Sequence, residues 1–292
     1  MISAIAPAKI NLTFLCGPLG ADGYHEVASI YQALDFFEQV GVEPADSWQI
    51  DLISDGIQES ASVPTDSSNL VIRAAEELAK FAGLATAQPM RFEIRKQVPP
   101  AGGMAGGSAD AAAALLALNS AWGLGLAVPE MMKVAANIGA DVPFSLLGGT
   151  ALGTGTGANL EPLPALPQQQ VLLVFSTPGL STAAVFKEFD RLVPDGDLTM
   201  SPKSLQEAFG ANLESILGRN SLATAAFSLR PDLAGLAGLV PGKIAYVSGS
   251  GPTLFMISED LSEIEQWQQV FSGHGLKTLV TQTTDRGAEL IS

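Results

Sequence analysis

Pro99-Pro100-Ala101-Gly102-Gly103-Met104-Ala105-Gly106-Gly107-Ser108-Ala109 runs without a break into Asp110-Ala111-Ala112-Ala113-Ala114-Leu115-Leu116-Ala117-Leu118. The first part is glycine-rich and the second is built of strong helix formers, so the chain sets a glycine loop at a helix N-terminus. Glycine lets a backbone take positive φ and approach a ligand closely. The free N–H groups of the first helical turn, together with the helix dipole, favour an anion such as phosphate. Taken alone, the stretch fits a phosphate cradle and a tightly packed turn equally well. It is not a Walker A loop, because no Gly-x-x-x-x-Gly-Lys-Ser/Thr occurs, and the protein-kinase His-Arg-Asp pattern is missing as well.

Upstream of the loop, Met90, Phe92, Ile94 and Val98 alternate with Arg91, Glu93, Arg95 and Gln97, which is the period of a strand. Further back, Leu70, Val71, Ala74, Ala75, Leu78, Phe81 and Ala82 recur at helical spacing, with Ser67, Ser68 or Asn69 as the cap and Gly83 as the stop. At the start, the apolar residues Ile2, Ala4, Ala6, Ala8, Ile10, Leu12 and Phe14 alternate as in a strand with one buried face. Lys9, Asn11 and Thr13 then share the opposite face. Pro7 cannot donate to a ladder, so that strand is interrupted there or lies at an edge. Ala21-Asp22-Gly23 reads as a turn, and Val27 to Val40 has no clear period.

Downstream, Met131 to Ile138 reads as a helix that begins near Pro129 and stops at Gly139, and Asp141-Val142-Pro143 is able to cap a further turn. The stiff Pro162-Leu163-Pro164-Ala165-Leu166-Pro167 cannot sit in a regular element, which sets a boundary between domains at 1–165 and 166–292. The second part reads as strand Val171 to Phe175, a turn at Thr177-Pro178-Gly179 and a helix capped by Ser181 or Thr182. Strands Ile244 to Val247 and Thr253 to Ile257 follow around a glycine turn, then helix Leu261 to Phe271 and a last strand Lys277 to Val280. That order suggests a small α+β sandwich.

The bulk properties narrow the function. Of the 292 residues 47% are apolar and 15% charged, which provides for a buried core and argues against disorder. A net charge of −15, with no basic cluster, excludes nucleic acid as an expected partner. The single Cys16 cannot form an internal disulfide, and the N-terminus lacks a secretory pattern, so a reducing cytoplasm is expected. The most apolar long stretch, Ala109 to Val128, carries Asp110, Asn119 and Ser120 and is too polar for a membrane span.

Several motifs acquire meaning as an ordered set. They are Ala6-Pro7-Ala8-Lys9-Ile10-Asn11-Leu12, Asp22-Gly23-Tyr24-His25-Glu26, the loop from Pro99 to Ala109 and Gly139-Ala140-Asp141-Val142-Pro143. Pro178-Gly179-Leu180-Ser181-Thr182 and Ser248-Gly249-Ser250-Gly251-Pro252 complete it. Together they resemble the GHMP small-molecule kinases, and most closely the branch that phosphorylates a cytidine diphosphate-linked methylerythritol on the way to isoprenoid precursors. The resemblance implies a two-domain α+β fold: an N-terminal mixed α/β domain with a glycine-rich phosphate loop, and a C-terminal ferredoxin-like α+β sandwich. It also implies ATP and Mg²⁺ as cofactors, phosphate transfer to the substrate's 2-hydroxyl, and a monomer or homodimer. Another member of the family, acting on homoserine, mevalonate or a sugar, and a non-catalytic nucleotide-binding protein are the alternatives.

By the same resemblance Lys9 and Asp141 form the catalytic pair, a carboxylate to accept the hydroxyl proton and an ammonium to offset developing charge. Outside that context Lys9 reads as a solvated strand residue and Asp141 as a helix cap. ATP is expected on Pro99, Pro100, Ala101, Gly102, Gly103, Met104, Ala105, Gly106, Gly107, Ser108 and Ala109, with Lys96 reaching the nucleotide from the strand end and Asn69 near adenosine. Asn11 is expected to orient the substrate beside Lys9. Tyr24 and His25 are expected to recognise the cytosine, with Phe186 as the opposite stacking wall, or a core residue of its helix, and Thr182 as a polar contact. His25 is no metal ligand candidate, since only His274 joins it in the chain, and no protein ligand is assigned to Mg²⁺. Ala101 and Ala105 stand where the family often has glycine, and Asp110 where asparagine is common. An alanine methyl matters there only where φ is positive.

Overall fold

The computed structural model describes residues 1–54 and 63–291. Two long strands, β1 (Ile2–Leu19) and β2 (His25–Pro44), pair antiparallel and form the spine of the first sheet. β3 (Gln49–Ser54) runs parallel to β4 (Met90–Lys96), which pairs antiparallel with β2. β5 (Thr150–Gly155) pairs the other part of β2 and carries β6 (Asn159–Pro162) at its edge. Helices α1 (Leu70–Phe81), α2 (Gly106–Ala121), α3 (Val128–Ile138) and α4 (Val142–Leu147) belong to this half. The alanines of α2 pack against β1, α1 and α3 in one core; small side chains all round let a fully buried helix sit close to the sheet.

Pro7 interrupts β1 without ending it. The register of β1 on β2 slips between Pro7 and Lys9, which is a bulge. Before the slip, Ala4 and Ala6 join the core around α2; after it, Ala8, Ile10 and Leu12 join the core against the second sheet. The bulge therefore re-aims the strand, and the polar row Lys9, Asn11, Thr13 comes to lie buried rather than solvated. β2 shows no period in sequence because nearly every residue from Val27 to Leu34 is buried on one face or the other.

The second half is built on β7 (Gln170–Phe175), β9 (Tyr246–Val247), β10 (Leu254–Ser258) and β11 (Lys277–Gln282), in the order β11-β7-β10-β9 with every neighbour antiparallel. This is the ferredoxin-like arrangement. Its connections hold α5 (Thr182–Leu192), α6 (Pro202–Ala211), α7 (Ala223–Leu229), α8 (Pro231–Ala237) and α9 (Leu261–Gly273). Along β7, Leu172 and Val174 join the helices' core while Val171, Leu173 and Phe175 join the core with β1 and β2, so this sheet is covered on both faces.

The chain order is less tidy than a single boundary near Pro162–Pro167 suggests. β8 (Arg219–Asn220) pairs parallel with β1, and β12 (Glu289–Ile291) pairs antiparallel with it, so the C-terminal end returns to the first sheet. Lys277–Gln282 is thus the last strand of the second sheet and not of the chain.

Candidate active site

The loop between β4 and α2 is held by its carbonyl groups. The Ala101 carbonyl accepts from Leu180 N (3.3 Å), that of Gly102 from Thr253 N (3.3 Å) and that of Met104 from Lys9 N (3.2 Å). The Gly103 carbonyl accepts from Lys9 Nζ and Ser248 Oγ, both at 3.0 Å. Gly103 has φ +78, and a Cβ there would stand 2.1 Å from the Ser248 carbonyl, so the turn from Ser248 to Pro252 packs directly on the loop. Among the described non-glycine residues, Ala101 (φ 52) and Ala105 (φ 58) alone have positive φ. Both alanines therefore sit where glycine is favoured, at roughly 1–2 kcal/mol each. Ala105 is also the N-cap of α2 and has no side-chain acceptor, which leaves the first-turn N–H groups to an outside anion.

Lys9 is 4% exposed, and its ammonium donates to Asn11 Oδ1 at 2.6 Å as well as to the loop. Asn11 in turn donates from Nδ2 to Ser29 Oγ (2.8 Å), so its whole side-chain amide serves to hold the lysine. Burial lowers the Lys9 pKa, and the charge of Asp141 works against that shift. Asp141 Oδ2 lies 3.9 Å from Lys9 Nζ. Asp141 occupies the N-cap position of α4 yet makes no capping hydrogen bond, so its carboxylate stays available to the cavity. Tyr31, which sequence reasoning left unassigned, closes the other side: Lys9 Nζ stands 5.7 Å from its ring centroid. Burial, with the Asp141 charge as a second cause, pushes the Tyr31 phenol well above its ordinary pKa and keeps it neutral.

These groups open on one cavity of about 1070 Å³ between the two halves, which also carries Tyr24, His25, Thr182 and Phe186. Tyr24 is 63% exposed at its rim. The His25 ring stacks on Phe186 (centroids 5.0 Å, planes 29° apart), and Phe14 meets Phe186 edge-on. A carbonyl can only accept, so His25 Nδ1 donates to the Gly17 carbonyl (2.9 Å), and Nε2 faces Asp190 Oδ1 at 3.4 Å. Thr182 Oγ1 meets Ser250 Oγ at 3.1 Å across the two sides of the cavity. Thr182, Phe186 and Asp190 succeed one another at four-residue spacing on α5, a signal that could have pointed to Asp190 from the sequence. Arg73 and Lys187 bring positive charge to the same cavity in a chain of net charge −15.

Asn11, Asn69, Lys96, Met104 and Ala109 do not line the cavity, and Met104 and Ala109 are fully buried in the core. Asn69 is the N-cap of α1: its Oδ1 accepts from Val71 N and its Nδ2 donates to the Pro64 carbonyl. Lys96 is buried between Glu38 and Asp110. Among the described residues no three His, Cys, Asp or Glu side chains gather to hold a metal ion, and no helix is long and apolar enough to cross a membrane.

The family of GHMP kinase N-terminal domains matches residues 69–149, which hold the loop, α2 and Asp141. A 4-diphosphocytidyl-2-C-methyl-D-erythritol kinase of Nocardia farcinica is 44% identical over 87% of this chain and 84% of its own length. One of Leifsonia xyli subsp. xyli is 39% identical over 98% of this chain and 97% of its own. A crystal structure of 4-(cytidine 5'-diphospho)-2C-methyl-D-erythritol kinase superposes with a TM-score of 0.74 at 27% identity, covering 96% of this chain and 98% of that one. With the glycine loop, the buried lysine and the uncapped aspartate around one cavity, these likenesses settle the family: the chain is a GHMP kinase and belongs with the 4-diphosphocytidyl-2-C-methyl-D-erythritol kinases.

Proposed function

We propose that this small-molecule kinase transfers the γ-phosphoryl group of ATP to the 2-hydroxyl of 4-diphosphocytidyl-2-C-methyl-D-erythritol, giving the 2-phosphate and ADP in isoprenoid precursor biosynthesis. The observation that carries the reading is the Lys9–Asp141 pair, 3.9 Å apart beside a glycine loop whose carbonyls are tied down and whose helix N-terminus is open.

Asp141 accepts the hydroxyl proton as the oxygen forms its bond to the γ-phosphorus and the bond from that phosphorus to the β-bridging oxygen breaks. Lys9, steered by Asn11 and the Gly103 carbonyl, offsets the charge that builds on the transferring group. The first-turn amides of α2 and the Ser108 hydroxyl hold phosphate oxygens. When bound with ATP, Mg²⁺ would supply neutralisation of phosphate charge, and the nucleotide and water would furnish most of its ligands. Tyr24 stacks on the cytosine from the exposed rim, while Phe186, backed by His25, forms the opposite wall and Thr182 adds a polar contact. Asn69 and Lys96 serve the nucleotide through the backbone they hold.

Incubation with γ-labelled Mg-ATP and 4-diphosphocytidyl-2-C-methyl-D-erythritol tests the reading. Label should appear in the cytidylated acceptor as a phosphate monoester. Label released only as inorganic phosphate would refute it.

A further inference from the structure

Beneath the phosphate loop, on the side away from the cavity, lie three ionisable groups the reaction does not touch. Glu38 on β2, Lys96 at the end of β4 and Asp110 in α2 are each at most 3% exposed. Lys96 Nζ donates to Glu38 Oε1 and, at 2.7 Å, to Asp110 Oδ2. Glu38 also accepts the backbone N–H groups of Gln97 (2.9 Å) and Val98 (3.1 Å), the last residues before the loop. At the loop's far end, a Cβ on Gly106, the first residue of α2, would stand 3.1 Å from Glu38 Oε1 and 3.0 Å from the Val98 side chain. One ion cluster thus grips the strand that enters the loop and the helix that leaves it. Between those two grips the backbone holds Ala101, Gly103 and Ala105 at positive φ, conformations that persist only where the surroundings over-determine them.

We propose that Glu38, Lys96 and Asp110 are positioning residues for ATP: their buried cluster sets the span of the phosphate loop, and it does so with one proton held by the Glu38–Asp110 pair of carboxyls. Three donors reach Glu38, whereas Lys96 alone reaches Asp110, whose Oδ1 has no partner. With that proton the cluster is neutral; without it, a net negative charge lies directly under an anion site. Burial pushes both carboxyls up, the Asp110 charge adds to the rise at Glu38, which reaches about 8, and Lys96 works against it at both. Among the described residues, Asp110 and Lys96 are the charged groups acting on Glu38, and Lys96 on Asp110; β1 and α1, packed on α2, bring apolar residues such as Ala6, Val71 and Ala75.

The inference rests on the kinase reading, so Mg-ATP binding is measured directly by calorimetry without acceptor, alongside the KM values for both substrates. Asp110→Ala leaves a neutral Lys96–Glu38 pair but frees α2 from β4. Kd and KM for ATP should rise at least about tenfold while KM for the cytidylated acceptor stays within about twofold. Asp110→Asn, which keeps the acceptor for Lys96 and carries no charge, should restore ATP affinity. From about pH 7 to 9 the parent should lose ATP affinity more steeply than Asp110→Asn, because its carboxyl pair has a proton to lose there that the variant's single carboxyl lacks. Failure of the parent to bind ATP would overturn the kinase reading itself. A parent that binds, with Asp110→Ala binding equally well or Asp110→Asn binding as poorly as Asp110→Ala, would overturn the positioning role alone. If Asp110→Ala does not fold, the pH comparison of the parent with Asp110→Asn decides: identical slopes would overturn the proposal.

Discussion

Replacing Gly103 by alanine should separate the phosphate loop from the turn that covers it. The new Cβ would lie 2.1 Å from the Ser248 carbonyl oxygen and 2.9 Å from Gly251 N, and both of these are backbone atoms with no rotamer to escape into. Ordinary contact needs more than about 3 Å, so loop and turn must part by about 1 Å. The hydrogen bonds from Lys9 Nζ and Ser248 Oγ to the Gly103 carbonyl, each 3.0 Å now, would then be lost. One of these is charge-assisted, so the pair contributes roughly 2–4 kcal/mol, and an alanine at positive φ adds about 1–2 kcal/mol more. Lys9 loses one of its two anchors near the transferring phosphoryl group, and a displacement of this size costs about 100-fold in rate. Thermal unfolding and kcat/KM, measured together on the purified variant, provide the assay. A Gly103→Ala protein within twofold of the parent in kcat/KM and within a degree of its Tm would show that the loop and turn are not in rigid contact.

Three further outcomes follow from the site. Asp141→Asn keeps the shape of the N-cap position but cannot accept a proton, so kcat should fall by about 100- to 10,000-fold with Kd for ATP little changed; near-normal turnover would remove the base role. Tyr24→Ala should raise KM for the cytidylated acceptor by about tenfold and leave KM for ATP alone, consistent with one lost stacking contact, and an unchanged acceptor KM would exclude that contact. Ala105→Gly relieves left-handed strain of about 1–2 kcal/mol while adding about 0.4–1 kcal/mol of chain entropy to the unfolded state. A rise in Tm of about 1–4 °C is expected, and a fall of that size would refute the strain.

The parts of this molecule that announce themselves in sequence are those with a strong local rule. The glycine run before an alanine-leucine run could only become a loop and a buried helix, and the alternation of β4 survives because its charged face is only partly covered. β1 was legible as a strand, yet the reversal of its faces at the bulge after Pro7 was not, because a register slip is a property of two strands and leaves no mark on one. β2 lost its period to burial on both faces. β8 and β12 are too short to carry a pattern, and their pairing with β1 is decided by the tertiary fold. In the site, Lys9, Asp141, Tyr24, His25, Thr182 and Phe186 do converge on one cavity. Asn11, Asn69 and Lys96 have the chemistry expected of binding residues but spend it on the protein: residue type gives a side chain's capacity, and only packing decides which partner takes it. Tyr31 was missed because a tyrosine in an unpatterned apolar stretch reads as core.

The most direct test of the function is ADP release from Mg-ATP in a coupled assay, with 4-diphosphocytidyl-2-C-methyl-D-erythritol offered beside uncytidylated methylerythritol phosphate, mevalonate, homoserine and galactose. ADP should be released with the cytidylated acceptor alone. Equal or faster release with any other acceptor would contradict the cytosine pocket of Tyr24, His25 and Phe186, and no release with any of them would contradict the kinase.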